Sequence, residues 1–185
     1  QVFNITGGGA VLTTNAAAAR VHGFDADLTV KASQNLTISA GLGILDGKYT
    51  DFPNATFTPA SPLQGGQSVV DATGNRMIYA PKVSGNFSVD YLVPTSMGEF
   101  GINASVSQRG KVYVAAANRL AIPSYAVVNG TLSWRSPDEH FGVQIWARNL
   151  LDKDYYLNRT EQALGDIQFL APPRTIGVTL SVKTR

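Results

Sequence analysis

The side chains that titrate nearest neutral pH are two histidines, His22 and His140. General-base or nucleophilic chemistry needs one of them within hydrogen-bond reach of a serine or a carboxylate. The residue pattern around them puts His22 on a strand and His140 in a turn at the opposite end of a sheet, so no catalytic set assembles. Asp152 and Asp154 share a side of an extended chain and offer carboxylate oxygens to a calcium ion. No glycine and no further ligands flank them, and Asp152 with Asn149 reads better as shaping a strand end. Gly7-Gly8-Gly9 lacks the Lys-Ser or Lys-Thr of a phosphate loop and reads as a loop tip. With no cysteine, disulfides, thiolate metal sites and Cys nucleophiles are excluded. The sequence thus presents no catalytic residue, no metal ligand set and no cofactor motif. What remains is recognition chemistry. Arg76, Arg119 and Arg159 suit carboxylate or phosphate groups, and Tyr113, Tyr156, Asn118 and Asn158 suit sugar or catechol hydroxyls. All seven fall in or beside long connections, where solvated loop side chains are the competing reading.

The elements that would position these residues are read from composition and periodicity. Hydrophobic residues make up 44% of the 185 and charged residues only 15%, against roughly 25% charged in a soluble globular protein. The formal charge is +2 and the basic residues are dispersed, which leaves nucleic-acid binding without an electrostatic footprint. No run of 18 apolar residues exists, so a transmembrane helix is excluded on length. The opening Gln1-Val2-Phe3-Asn4-Ile5 has neither a basic nor an apolar leader region, so a signal peptide is either absent or removed.

Period two dominates the chain. Leu36, Ile38, Ala40, Leu42 and Ile44 alternate with Thr37, Ser39, Gly41 and Gly43, and the same alternation recurs from Phe24, Val83, Phe100, Phe141 and Ile176. It predicts eight antiparallel strands, over residues 2–5, 18–31, 36–49, 78–91, 99–114, 125–135, 141–156 and 174–183. Short turns at 32–35, 94–98 and 136–140 alternate with long loops at 6–17, 50–77, 115–124 and 157–173. All short turns therefore fall at one end of the sheet, as in outer-membrane barrels. Aromatic residues form two expected belts, with Tyr49, Phe52, Tyr79, Tyr113, Tyr125, Tyr155 and Tyr156 near the loops and Tyr91, Phe100, Trp134 and Phe141 near the turns. The alternation assigns Leu36, Ile38, Leu42, Ile102, Val143, Ile145, Val178 and Leu180 to lipid, and Asp27, Asn86, Ser88, Arg109, Gln144 and Lys183 to the lumen. Seven Asn-x-Ser/Thr triplets follow from a lumen face of small polar residues at every second position. Small lumen residues such as Ser39, Gly41 and Gly43 imply a lumen wider than eight strands enclose. The fold class is all-β, an antiparallel transmembrane β-barrel wall.

The stretch from Ala147-Arg148-Asn149-Leu150-Leu151-Asp152-Lys153-Asp154-Tyr155 to Pro173-Arg174-Thr175-Ile176-Gly177-Val178 resembles the last two strands of TonB-dependent outer-membrane receptors. Their pattern is Asn-Leu-Phe-Asp-x-x-Tyr and then Pro-Arg-Thr. Gly23-Phe24-Asp25 and Ala80-Pro81-Lys82 resemble two further strand openings of that family. The resemblance implies a non-enzymatic receptor in the bacterial cell outer membrane, with a plug inside a 22-stranded barrel, importing a scarce solute such as a siderophore or another nutrient. Residues 1–185 would then be a C-terminal barrel segment of about eight strands, with neither plug nor TonB box. The implied partners are outer-membrane lipid, a small solute (an iron-siderophore among the candidates) and TonB, reached through a plug outside this chain. The family's last strand commonly ends on an aromatic residue, whereas this one ends Lys183-Thr184-Arg185, which reads as a truncated terminus or an atypical assembly signal. The alternative is a self-contained eight-stranded barrel with a structural or adhesive role. The fragment reading predicts that the chain is incomplete as a functional unit.

Overall fold

The computed structural model describes residues 2–5, 11–14, 18–60 and 66–184, so the Gly7-Gly8-Gly9 tip lies outside the described residues. Seven strands, β1 (Ala18–Lys31), β2 (Leu36–Asp51), β3 (Val83–Thr95), β4 (Gly98–Arg109), β5 (Tyr125–Arg135), β6 (Phe141–Arg148) and β7 (Thr175–Val182), form one sheet in sequence order. Every neighbouring pair is antiparallel. The expected first strand, Val2–Ile5, is not an eighth member of this sheet and pairs with Val11–Thr14 in a hairpin of its own. Among the described residues no pairing joins β1 to β7, which removes the closed eight-stranded alternative.

The register sorts side chains into two faces, because directly opposed residues of an antiparallel pair point the same way. One face runs Phe24, Ile44, Val83 and, further along the strands, Tyr91, Ile102, Leu132, Ile145, Val178. The other runs Asp27, Gly41, Asn86, Ser107 and Ser133, Gln144, Thr179. All eight residues expected on the apolar face lie there, as do five of the six on the polar face; Lys183 lies beyond the end of β7. Trp146 departs from the pattern. It belongs to the polar face, beside Thr131 and Gly177, and a side chain at Gly177 would overlap its ring. The indole Nε1 donates to Thr179 Oγ1 at 3.2 Å, so this glycine exists to seat the ring.

Among the described residues nothing packs against the apolar face. Phe24 is 60% exposed and Leu180 73%, and a continuous exposed face of this size is what a bilayer requires. Along β2 it extends from Leu36 to Ile44, roughly 26 Å at about 3.3 Å per residue. Tilting by roughly 35–45° shortens that to about 20 Å, close to the roughly 25 Å apolar band of a membrane barrel.

The turn end is held by local bonds. Ser33 Oγ accepts the Asn35 and Leu36 N–H groups at 3.1 and 3.0 Å, and Ser136 Oγ accepts Phe141 N–H at 3.0 Å. Between β3 and β4 the chain turns on Gly98 at φ 116°, where a Cβ would meet the Arg135 carbonyl, so a glycine is required. Trp134 Nε1 donates to Met97 O at 3.0 Å and ties that turn to β5. Tyr91, Phe100, Trp134 and Phe141 all lie on the apolar face, so the expected aromatic belt exists at this end.

Three strands end earlier or begin later than the periodicity predicts. β3 begins at Val83 rather than at 78, after Pro81, which has no N–H for the ladder. β4 stops before Gly110, whose position leaves no room for a Cβ against Val83 O. β6 stops at Arg148 because Asn149 and Asp152 take positive φ values of 51° and 54°, which only a turn accommodates.

In the full-length protein refolded into vesicles, Ile145→Arg should cost about 2–4 kcal/mol, whereas Gln144→Arg should be mild, because only the first puts a cation in hydrocarbon. Equal costs at these adjacent positions would contradict the facing.

Candidate functional site

At the end opposite the turns, the three long connections carry hairpins of their own, Ala55–Phe57 with Ser68–Val70, Val112–Tyr113 with Ala121–Ile122, and Tyr156–Thr160 with Ile167–Leu170. Their apolar residues supply the chain's buried core. Tyr49 and Phe52 meet edge to face at 5.2 Å between centroids and cluster with Ala55, Ala72 and Ala116, with Val70 and Met77 packed against them. Val112 and Ile122, paired across their hairpin, are fully buried. Tyr125 and Tyr155 stack at 4.4 Å. Tyr49, Phe52, Tyr125 and Tyr155 of the expected loop-end belt therefore pack within the loop layer, whereas Tyr79 remains exposed.

Polar bonds then lock one connection to another. Asn118, at φ 57°, accepts Arg76 N–H on Oδ1 at 2.9 Å and donates from Nδ2 to Arg76 O at 2.9 Å, a reciprocal clamp on one backbone unit. Arg119 donates from Nη1 and Nη2 to the two oxygens of Asp166 at 3.0 and 2.7 Å, and its Nε lies 3.3 Å from Glu161 Oε1. The other Glu161 oxygen accepts Thr58 N–H at 3.1 Å, so one buried carboxylate touches all three connections. Arg159 donates from Nη1 to Ala121 O at 2.7 Å and sits over the Tyr156 ring at 5.0 Å. Tyr79 donates its hydroxyl to Asn158 Oδ1 at 3.1 Å.

This arrangement divides the seven expected recognition residues. Arg119 and Asn118 are spent on the frame. Tyr156, Asn158 and Arg159 come together on one hairpin. Tyr113 bridges to Ile78, with the Lys111 ammonium 5.0 Å from its ring. Arg76 pairs with Lys48, is held through its backbone by Asn118 and lines a cavity with Tyr113, apart from the 156–160 hairpin. Glu161 and Asp166 did not stand out in the sequence: Arg119 and Asp166 are 47 residues apart and no spacing rule links them.

Asn149 and Asp152 fasten the strand end, as expected. Asn149 is buried; its Oδ1 accepts Lys153 N–H at 2.8 Å and its Nδ2 donates to Lys153 O and Pro172 O. Asp152 Oδ1 accepts Arg174 N–H at 2.8 Å. Among the described residues no group of three His, Cys, Asp or Glu side chains converges to hold a metal ion.

The hydrogen bonds from Arg119 hold the Asp166 carboxyl below its ordinary pKa of 3.8, and Asp166 in turn raises that of Arg119. A carboxyl whose folded pKa is depressed stabilises the fold fully above its unfolded value and loses that contribution as pH falls through the folded one. The clamp therefore holds at neutral pH and fails only below about pH 3.8.

Residues 1–150 match the family model described as TonB dependent receptor-like, beta-barrel. The chain is 25% identical over 113 residues to the pesticin receptor of Yersinia pestis, covering 59% of this chain and 16% of that protein. It superposes on the ferric yersiniabactin uptake receptor FyuA of Yersinia pestis with a TM-score of 0.74 at 16% identity, over 89% of this chain and 23% of that one. For the siderophore receptor PiuA of Acinetobacter baumannii the values are 0.67, 24%, 89% and 21%. For the ferric-catecholate import receptor Fiu of E. coli K12 they are 0.68, 15%, 97% and 23%. The chain thus spans less than a quarter of the length of each of these proteins.

Replacing Arg119 by Met keeps the stem and removes the fork, leaving Glu161 and Asp166 unpaired. It should destabilise the 156–170 hairpin by about 1.5–3 kcal/mol, seen as faster hydrogen exchange there with the strands unaffected. In the wild type the same hairpin should exchange slowly at pH 7 and pH 5, after correction for intrinsic rates, and open only below about pH 3.8. Opening between pH 7 and 5 would contradict the assignment.

Proposed function

The chain belongs to the TonB-dependent receptor β-barrel family, and on that premise we propose that it is part of an outer-membrane receptor for uptake of a scarce solute, with a ferric siderophore as the favoured cargo. Family membership places the chain in the outer membrane as barrel wall. The open edges of β1 and β7 present unpaired backbone groups, which hydrocarbon does not tolerate. Residues 1–185 are accordingly read as a C-terminal barrel segment whose edges pair with further strands, and TonB is engaged through a plug.

The observation that carries the uptake reading is the loop layer. It is braced from below by a buried carboxylate and an aromatic core, so its outer side chains are held in place before any solute arrives, which lowers the ordering cost of binding. Tyr156, Asn158 and Arg159 are proposed as solute contacts with Tyr113. The guanidinium suits carboxylate or catecholate oxygens and the rings supply apolar area. Arg119 and Asn118 contribute by holding that surface still, and Arg76 lies apart from the 156–160 hairpin. FyuA, PiuA and Fiu carry names that fit the same cargo class.

The test uses the full-length protein. Binding of ferric hydroxamate and ferric catecholate siderophores should be measurable by titration calorimetry, and deletion of the gene should slow growth on the bound siderophore under iron limitation. Tyr156→Ala and Arg159→Ala should each weaken binding by about 10-fold, as loss of a good charged or aromatic contact does. Binding of a vitamin or oligosaccharide with no ferric complex bound would sink the siderophore assignment.

A further inference from the structure

Among the described residues five that are not glycine take a positive φ. Asn118, Asn149 and Asp152 are of types that tolerate the left-handed region, because a short polar side chain bonds locally there, and Glu139 closes the 136–140 turn through its N–H to Ser136 O at 3.0 Å. The fifth is Tyr79, at φ 52°. A bulky ring in this region is an outlier, and such a conformation persists only where the surroundings impose it. Packing does not impose it here, since Tyr79 is 46% exposed. Two polar bonds do. Its N–H donates to Tyr113 O at 3.0 Å and its hydroxyl to Asn158 Oδ1 at 3.1 Å. Tyr79 thereby spans the seam between the two hairpins that carry the solute contacts named above, with Tyr113 on one side and Tyr156, Asn158 and Arg159 on the other.

The hydroxyl bond is a loose one. At 3.1 Å it is longer than the roughly 2.7–2.8 Å typical of O–H···O pairs, and its acceptor is a neutral amide oxygen that already takes the Arg159 N–H at 2.9 Å. An anionic oxygen is a better acceptor, because charge-assisted bonds are shorter and about twice as strong. Asn158 Oδ1 keeps its bond from Arg159 N–H when the phenol turns away, so the exchange leaves no amide oxygen unpaired. Cations flank the seam on both sides: the Arg159 guanidinium lies 5.0 Å from the Tyr156 ring and the Lys111 ammonium 5.0 Å from the Tyr113 ring. The nearby carboxylates of Glu161 and Asp166 are engaged by Arg119.

We propose that Tyr79 is a specificity-determining residue of the solute site. Its phenol, held at the seam by a left-handed backbone, passes its hydrogen bond from Asn158 to an anionic oxygen of the solute and so favours negatively charged complexes over neutral ones. This assignment rests on the uptake reading and adds to it a residue and a charge preference. A tyrosine that only tied the two hairpins together would act on stability and not on which solute binds.

The test uses the full-length protein in detergent, titration calorimetry and two ferric probes, a negatively charged tris-catecholate complex and a neutral tris-hydroxamate complex. Wild type should bind the charged complex at least about 10-fold more tightly. Tyr79→Phe keeps the ring and removes the hydroxyl; it should weaken the charged complex by about 10-fold and leave the neutral one within about 2-fold. Tyr79→Asn suits the left-handed backbone, so it should lose the same preference while melting at or above the wild-type temperature, since strain held at a binding residue serves function and not stability. A Tyr79→Phe protein with the wild-type preference, a Tyr79→Asn protein that melts lower, or a wild type that binds the two complexes equally overturns the assignment and leaves uptake standing. A wild type that binds neither complex overturns the siderophore reading and the assignment with it.

Discussion

Everything in this chain follows from a sheet that turns its apolar face outward. A soluble protein stabilises a sheet by burying one face against another layer; here Phe24, Ile102, Ile145 and Leu180 have no layer to meet among the described residues. Cohesion then falls to the backbone ladder, which must be complete because hydrocarbon offers no substitute hydrogen bonds. Long strands, continuous register and two- to five-residue turns are what that demand produces. Strand interiors accordingly tolerate Ser, Gly and Asn on the polar face, since side-chain burial is not what holds them.

The same demand moves the packed core to the loop end. Tyr49, Phe52, Ala55, Ala72 and Ala116 bury one another above the sheet, and the ionic contacts of Arg119 and Glu161 lie among the connections around them. A carboxylate as enclosed as Glu161 is costly unless paired, so the loops are coupled: disturbing one leaves a charge exposed to a partner that can no longer satisfy it. Rigidity at this end is thus an electrostatic property resting on a small apolar cluster, while the sheet beneath is rigid by its ladder.

Much of the fold was legible in the sequence because a period of two is a direct record of facing. Leu36 through Ile44 named both the strand and its lipid side, whereas the strand expected over 141–156 ends at Arg148, where Asn149 and Asp152 take positive φ values. Legibility failed where a local backbone choice outweighed the pattern, at Pro81, at Gly110 and in the hairpin that removes Val2–Ile5 from the sheet. Trp146 was hidden because its place on the polar face depends on Gly177, a residue that pairs with it only through the register. The loop layer was the least readable. Its residue types pointed to recognition, but which cation bonds which carboxylate depends on contacts between distant segments, and so Arg119 looked like a ligand contact and is a brace. Arg76 looked like a companion of Arg159, and Asn118 holds it through its backbone, apart from the 156–160 hairpin.

The two tryptophans, the only ones in the chain, sit on opposite faces of the sheet. Trp134 shares its row with Phe100 and Val143 on the apolar face, and Trp146 lies over Gly177 on the polar face beneath Arg148, whose guanidinium is 5.5 Å from the ring. These 185 residues therefore carry a pair of intrinsic fluorophores separated by one thickness of backbone. A quencher dissolved in the acyl chains reaches Trp134, and iodide or acrylamide in the lumen reaches Trp146. In a background whose tryptophans outside residues 1–185 are replaced, Trp134→Phe and Trp146→Phe would each leave a reporter for one compartment, so that filling of the lumen and rearrangement of the surrounding lipid become separable optical signals without any added label.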